Sequence, residues 1–299
     1  MVPDQIVVKL FRELYEQILK KETGYSINIF LCGASPDRKA SIRKDIYDRI
    51  KNLPRFNIVF PEWIFGGLLL NRQYNLLKLE HELAADVDVI VLPLEGYGTM
   101  AELGAFASFP DLTDKIIVVN EDKYRHNKRS FINIGPIELI RSQDKGNIIY
   151  YADNSHSNML DDVYRRLLHF RRHHAKKDIK NLFTLSRFLL YVIAIFQPIT
   201  KEEIEKYSKN WNTDVQKHYV DPALEILSRK GNIRTDPRED RETFRLTSEG
   251  HNYVHEKKCR ELGIMRLVSE KRSEVLRFQN RKIKTFNMNR ERERLLDVS

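Results

Sequence analysis

The stretch 93–106, PLEGYGTMAELGAF, places one carboxylate, Glu102, shortly after two close glycines, Gly96 and Gly98. Glycines at such a turn let the backbone bend sharply and let a ligand come near the main chain. If a helix starts here, its unpaired amides favour a negative group. A carboxylate in that first turn is then held ionised while it faces the ligand. An ionised carboxylate can attack an anomeric carbon through an oxocarbenium-like transition state. Thr99-x-x-Glu102 is also a capping box, in which both side chains serve the helix start alone. Both readings stand on these residues.

Other polar candidates are few. Asp86 and Asp88 flank an apolar run; Asp88 inside it is the more unusual, and an edge hydrogen bond to a loop explains it. Glu95 precedes the first glycine of the turn. Only two cysteines are present, Cys32 and Cys259, which cannot build a disulfide framework or a zinc knuckle. A reducing, cytosolic setting follows, with no structural metal and no resident cofactor expected. His173 and His174 are adjacent, so they leave a helix on different faces and read as solvated.

The elements that must position Glu102 are strands. Runs at 27–32 (INIFLC), 56–60 (FNIVF), 87–92 (VDVIVL), 115–119 (KIIVV) and 147–151 (NIIYY) suit strands buried on both faces. Helical patterns fall at 38–51, 73–85 and 99–108, with a weaker one at 130–141. Strands separated by helices imply right-handed crossovers and a parallel sheet. The expectation is an α/β, doubly wound, flavodoxin- or Rossmann-like domain with five parallel strands. In that architecture ligands bind beyond the carboxyl ends of the strands.

A helix near 158–173 runs into the basic sequence RRLLHFRRHHAKK, and a domain boundary is expected near 176–180. An apolar helix at 182–196 opens the second half. Thr200 with Glu203 forms a capping box for a helix from Lys201 to Lys209. A third helix at 214–229 stops at Gly231. Short strands at 233–235 and 243–246 follow, and Thr247 caps another helix. Three helices, a two-stranded wing and a closing helix describe a winged helix-turn-helix. The expected domains are 1–176, 180–260 and a basic tail, 261–299.

Composition agrees with a soluble globular chain: 41% apolar, 31% charged, mean hydropathy −0.50. No apolar run approaches the roughly 18 residues of a membrane span. The N-terminal sequence is acidic early and amphipathic, unlike a secretory signal. Charge is uneven. Residues 1–150 carry 20 bases and 20 acids, whereas the remainder carries 31 bases and 22 acids. This asymmetry favours a polyanionic partner for the second half. In the tail, Arg277, Arg281, Lys282 and Lys284 interleave with aromatic residues, a pattern suited to phosphates and stacked bases.

The turn resembles that of the nucleoside 2-deoxyribosyltransferase family, whose members place a glutamate nucleophile in a Gly-(Ser/Thr)-x-x-Glu-(Ile/Leu)-Gly turn after the third strand. Here that turn is Gly98-Thr99-Met100-Ala101-Glu102-Leu103-Gly104. The resemblance covers about residues 25–170 and extends to Gly33 at the end of the first strand. It also includes Glu80 as the acid on the helix before strand three, and Asn133 as the asparagine that a neighbouring subunit lends to the site. It implies substrate binding by Gly33, Glu80, Asp88, Gly96, Gly98, Thr99 and Asn133, and a homo-oligomer. From the residues alone, Glu80 is equally an exposed helical acid, and Asn133 equally caps the helix leading to Pro136. The family's base-handling aspartate before the glycine is absent. Glu95 is either its substitute or a solvent-facing loop acid.

The whole layout is similar to the effector proteins encoded beside retron reverse transcriptases, of the type II class. The segments carrying this likeness include 76–80, 85–90, 101–106, 128–133 and 280–287. It implies an anti-phage toxin held with the reverse transcriptase and its branched RNA–DNA, cleaving an N-glycosidic bond in NAD or another nucleotide. Two alternatives remain. Gly96–Glu102 also resembles the Gly-x-Gly-Thr-x-x-Glu signature of nucleotide phosphoribohydrolases, although Pro93-Leu94-Glu95 lacks that family's Pro-Gly-Gly run. A non-catalytic nucleic-acid-binding regulator fits the basic half.

Overall fold

The computed structural model describes residues 4–19, 27–35, 38, 40–53, 55–68, 76–152, 156–170, 181–209, 219–238, 241–278 and 280. The chain divides into two compact units, Gly24–Phe183 and a second made of Met1–Thr23 with Thr184–Ser299.

The first unit is built on a five-stranded parallel sheet. Its strands are β1 (Ile27–Leu31), β2 (Phe56–Val59), β3 (Val89–Pro93), β4 (Ile116–Glu121) and β5 (Ile148–Tyr151), in the order β2-β1-β3-β4-β5. Every pairing is parallel. The inner strands β1 and β3 are buried throughout, as β-branched and aromatic runs covered on both faces require. On one face Ile29, Val91 and Val119 pack with Ile42 and Ile46 of the helix Ile42–Ile50 and with Met159 and Val163 of the helix His156–His169. Alternate residues point the other way, where Phe30 meets Phe106 of the helix Tyr97–Ala107, ring centroids 6.5 Å apart. The expected doubly wound architecture is therefore present, with its strand order reversing at β1 and β3.

Within the Gly24–Phe183 unit the sequence patterns missed one α-helix among the described residues, Pro61–Leu68. A helix was expected at 130–141. Residues 131–143 are helical as expected, with a π-helical turn, Asn133–Ile137, that contains Pro136, before the α-helix Glu138–Gln143. Proline lacks the amide that a regular helix needs, and the wider turn accommodates that loss.

The second unit holds the helices Asp4–Leu14, Leu182–Phe196 (from Thr184 onward), Lys201–Lys209, Val220–Arg229 and Ser248–Val254. It also holds an antiparallel sheet of β6 (Ile199–Thr200), β7 (Ile233–Arg238) and β8 (Arg241–Leu246), in the order β6-β8-β7. The capping box at Thr200 forms as read. Its amide donates to Glu203 Oε2 at 3.0 Å, and the Glu203 amide donates to Thr200 Oγ1 at 3.2 Å. Gly231 ends its helix at φ +67°, and Thr247 caps the next through the Gly250 amide. Residues 1–23 differ from the expected boundary, because they belong to this unit. The cause is aromatic packing: Phe11, 1% exposed, lies 5.3 Å from Phe196, 5.7 Å from Tyr207 and 6.1 Å from Phe188, ring to ring. Among the described residues no helix is long and apolar enough to cross a membrane.

Candidate active site

The helix Tyr97–Ala107 begins three residues earlier than its capping motif suggests. Its N-cap is Gly96, and the box closes between Gly96 and Thr99. The Gly96 amide donates to Thr99 Oγ1 at 3.3 Å, and that hydroxyl donates back to Gly96 O at 2.9 Å. Two sequence expectations change. Thr99 serves the helix start with Gly96 rather than with Glu102. Glu102 stands in the second turn, so the first amides do not hold it ionised.

Glu102 instead lies half-buried among other charges. Burial, then the carboxylates of Glu80 and Glu62, push its pKa up to about 7, against weaker lowering by the Cys32 thiol and Arg43. The thiol faces the carboxylate and lowers its pKa slightly. Its Oε2 is buried and has no hydrogen-bond partner among the described residues. Cys32, deep in the protein, is itself pushed well above the usual thiol range, first by burial and then by Glu102. It therefore stays neutral. Burial and Glu62 raise the pKa of Glu80 as well.

These groups converge because each follows a strand or approaches one. Cys32 directly follows β1, Glu62 lies in the first turn of the helix after β2, Glu80 lies on the helix leading to β3, and Glu102 lies on the helix after β3. They gather at the carboxyl ends of adjacent strands, where open α/β sheets bind ligands. The one cation beside them among the described residues is Arg43, 1% exposed. Its guanidinium donates twice to Glu62 at 2.6 Å, donates to Ala34 O at 2.8 Å and lies 4.3 Å over the Phe60 ring. Its stem passes against Gly33, which sits at φ +139°. A Cβ there would stand 2.7 Å from that of Arg43. Gly33 thus shapes the site indirectly, by making room for a buried guanidinium.

The other sequence candidates are distributed differently. Glu95 is neither a solvent-facing acid nor available to a base. Its Oε1 accepts from the Ile42 amide at 2.5 Å and its Oε2 from the Arg43 amide at 3.2 Å, satisfying the start of the helix Ile42–Ile50. Asp88, expected at the substrate, does not join the cluster. It precedes β3 at the amino end of the sheet, where its Oδ2 accepts from the Asn28 amide at 2.7 Å. It ties β3 to β1 at the end opposite Glu102. Asn133 donates to Tyr124 O at 2.7 Å and Asn127 O at 3.0 Å, bracing its own loop. Gly96 and Gly98 have ordinary backbone angles, and a Cβ at either would meet nothing within 4 Å. Their lack of a side chain leaves open space above the turn. Tyr97 between them is 93% exposed. Arg277 is exposed, whereas Arg281, Lys282 and Lys284 lie outside the described residues. No group of three or more potential metal ligands occurs among the described residues.

Arg43 and Glu62 escaped the sequence reading. One signal existed: Arg43 falls on the buried face of its helix, beside Ile42, Ile46 and Ile50. A base on an apolar stripe demands a partner inside the protein.

Fold and site together define a flavodoxin-like α/β domain with a carboxylate cluster at its topological switch point. Residues 39–235, about two thirds of the chain, match the sequence model of the STM3845 retron effector protein family, and the chain belongs to that family. It is 28% identical over 95% of both chains to an Escherichia coli protein named "Retron Ec86 putative ribosyltransferase/DNA-binding protein". It is 36% identical over 41% of both chains to the retron Ec73 protein of the same description, also from Escherichia coli. The protein is a retron effector.

Proposed function

We propose that the protein cleaves the N-glycosidic bond of a nucleotide, with NAD as the substrate and Glu102 as the nucleophile. The observation carrying this reading is the state of Glu102. It is released from capping, its Oε2 is unpaired, and it lies at the crevice beyond β1 and β3. In the proposed reaction Oε2 attacks C1′ of the ribose, the bond from C1′ to the base nitrogen breaks, and the base leaves with the electron pair. Water then attacks C1′, loses a proton and restores the carboxylate. Open space over Gly96 and Gly98 admits the ligand.

The use of Glu95 in capping supports the choice of NAD. No acid stands where the resembled family handles its base. A purine or pyrimidine base leaves readily only when protonated. The nicotinamide of NAD is cationic while bound and departs neutral, so it needs no acid. The names of the relatives, ribosyltransferase and DNA-binding protein, agree with this chemistry and with a nucleic-acid partner.

The second unit, in this reading, is a winged helix, the residues after it form a basic tail, and the effector is held with the reverse transcriptase and its branched RNA–DNA. A neighbouring copy contributes from the segment around Asn133, where Phe131 and Ile134 are 76% and 62% exposed. Incubating the purified protein with NAD and following nicotinamide by chromatography tests the reaction. Release by wild type, and its loss by at least a thousandfold in Glu102→Gln, is expected at unchanged folding (~10³ or more for removing a nucleophile). Equal release by both proteins overturns the assignment.

A further inference from the structure

A second cleft, of about 470 Å³, opens along the edge strand β5, and its lining residues belong to no part of the Glu102 site. Arg125, Arg165, Arg166 and His169 line it with the ring of Tyr150, against one lining acid, Asp162. We propose that this cleft binds a single-stranded nucleic acid, with phosphates on the arginines and a base stacked at Tyr150.

Three observations favour that ligand. Tyr150 is presented as a platform. Its hydroxyl accepts from Arg141 Nη2 at 3.1 Å, and the Arg125 guanidinium lies 5.0 Å from its ring centroid. An aromatic ring beside arginines accepts an unpaired base of any identity. Arg166 is set in advance: Nε donates to Asn147 Oδ1 at 2.8 Å and Nη2 to Asp144 at 2.5 Å. Gly146 leaves it room, since a Cβ there would stand 3.1 Å from Nη1. His169 Nδ1 lies 2.7 Å from Arg165 O, so its other nitrogen is the one left for a ligand.

The remaining arginines are held by acids that a phosphate can replace. Arg125 is 3.6 Å from Asp122, and Arg165 is 2.8 Å from Asp162. Both pairs are solvent-exposed, and such pairs hold their partners only weakly. The local sequence matches a strand better than one mononucleotide. Residues 163–177 include six bases and no acid. A run of phosphates is the polyanion that such a charge run attracts. The cleft lies in the Gly24–Phe183 unit, so nucleic-acid contact is not confined to the winged-helix unit and tail.

The test uses the full-length protein and a fluorescent thymidine strand of about ten nucleotides, with anisotropy measured from about 50 to 200 mM KCl. Arg125→Ala/Arg165→Ala should weaken binding about tenfold and flatten the plot of log affinity against log salt by about 1.4, near 0.7 for each lost phosphate. Tyr150→Ala should weaken binding by at least about fivefold, with Tyr150→Phe retaining affinity. Arg281→Ala/Lys282→Ala/Lys284→Ala serves as the comparison for the tail, and melting temperatures establish folding. Wild-type affinity and slope in the Arg125/Arg165 variant overturn the proposal. So does competition by thymidine monophosphate as effective as that by the strand at equal phosphate concentration.

Discussion

At Glu102, the charge that the proposed reaction needs is the charge that folding resists. Its pKa rises from 4.5 to about 7 in the folded protein, so ionisation there opposes burial. For an acid raised on folding, the cost is absent below the unfolded pKa and complete above the folded one. Glu102→Gln should therefore stabilise the protein by about 2–3 kcal/mol at pH 8, at about 1.4 kcal/mol per unit with allowance for partial exposure. The gain should shrink as pH falls from 7 towards 4.5, read by denaturant melts. For a nucleophile, activity should rise with pH through about 7 and level off above it. The neighbours should move that limb in opposite directions: Arg43→Met to higher pH by removing a cation, Glu62→Gln to lower pH by removing a carboxylate. Rate profiles from pH 5 to 9 decide this, and a common loss of rate without movement would make both residues merely structural. Glu102 was legible because glycines mark its turn. Arg43 and Glu62 were not, because their pairing depends on β2 lying beside β1, which no local pattern states.

At the scale of elements, glycines divide into those the fold requires and those it leaves free. Gly33→Ala meets both a left-handed backbone and the Arg43 stem, and should cost about 2–3 kcal/mol in thermal or denaturant unfolding. Gly98→Ala meets neither, so its melting temperature should stay at or above wild type, while KM for the substrate rises because the added methyl enters the space above the turn. A melting temperature that falls with an unchanged KM would place the need for this glycine in the fold. The five strands were legible since doubly buried strands write themselves as runs of Val, Ile and Phe. The helix Pro61–Leu68 was not, because Gly66 and Gly67 interrupt its pattern and its sequence, PEWIFGGL, lacks an amphipathic repeat. Asp88 misled for a related reason. An acid inside an apolar strand signals a buried partner, and only the register shows that the partner is a backbone amide at the far end of the sheet.

For the whole molecule, the chain divides at residues 23 and 184 into two compact units, and only one of them carries Glu102. Phe11→Ala should destabilise the second unit by about 3–4 kcal/mol, the usual cost of removing a buried ring, and leave the Glu102 site intact. Hydrogen exchange resolved by segment checks this: loss of protection should follow residues 184–278 rather than 27–152. Sequence patterns could not place the first helix, since its partners Phe188, Phe196 and Tyr207 lie nearly two hundred residues away. That distance has a consequence during synthesis. The Gly24–Phe183 unit is complete on the ribosome while most of the second unit is still untranslated, and domains fold as they emerge. The carboxylate cluster therefore assembles first, and the amphipathic helix at the N-terminus waits, apolar face uncovered, for the last third of the chain. Each new copy passes through an interval in which the unit carrying Glu102 is folded before its companion exists, so any control exercised through the second unit begins only after translation has moved well past residue 184.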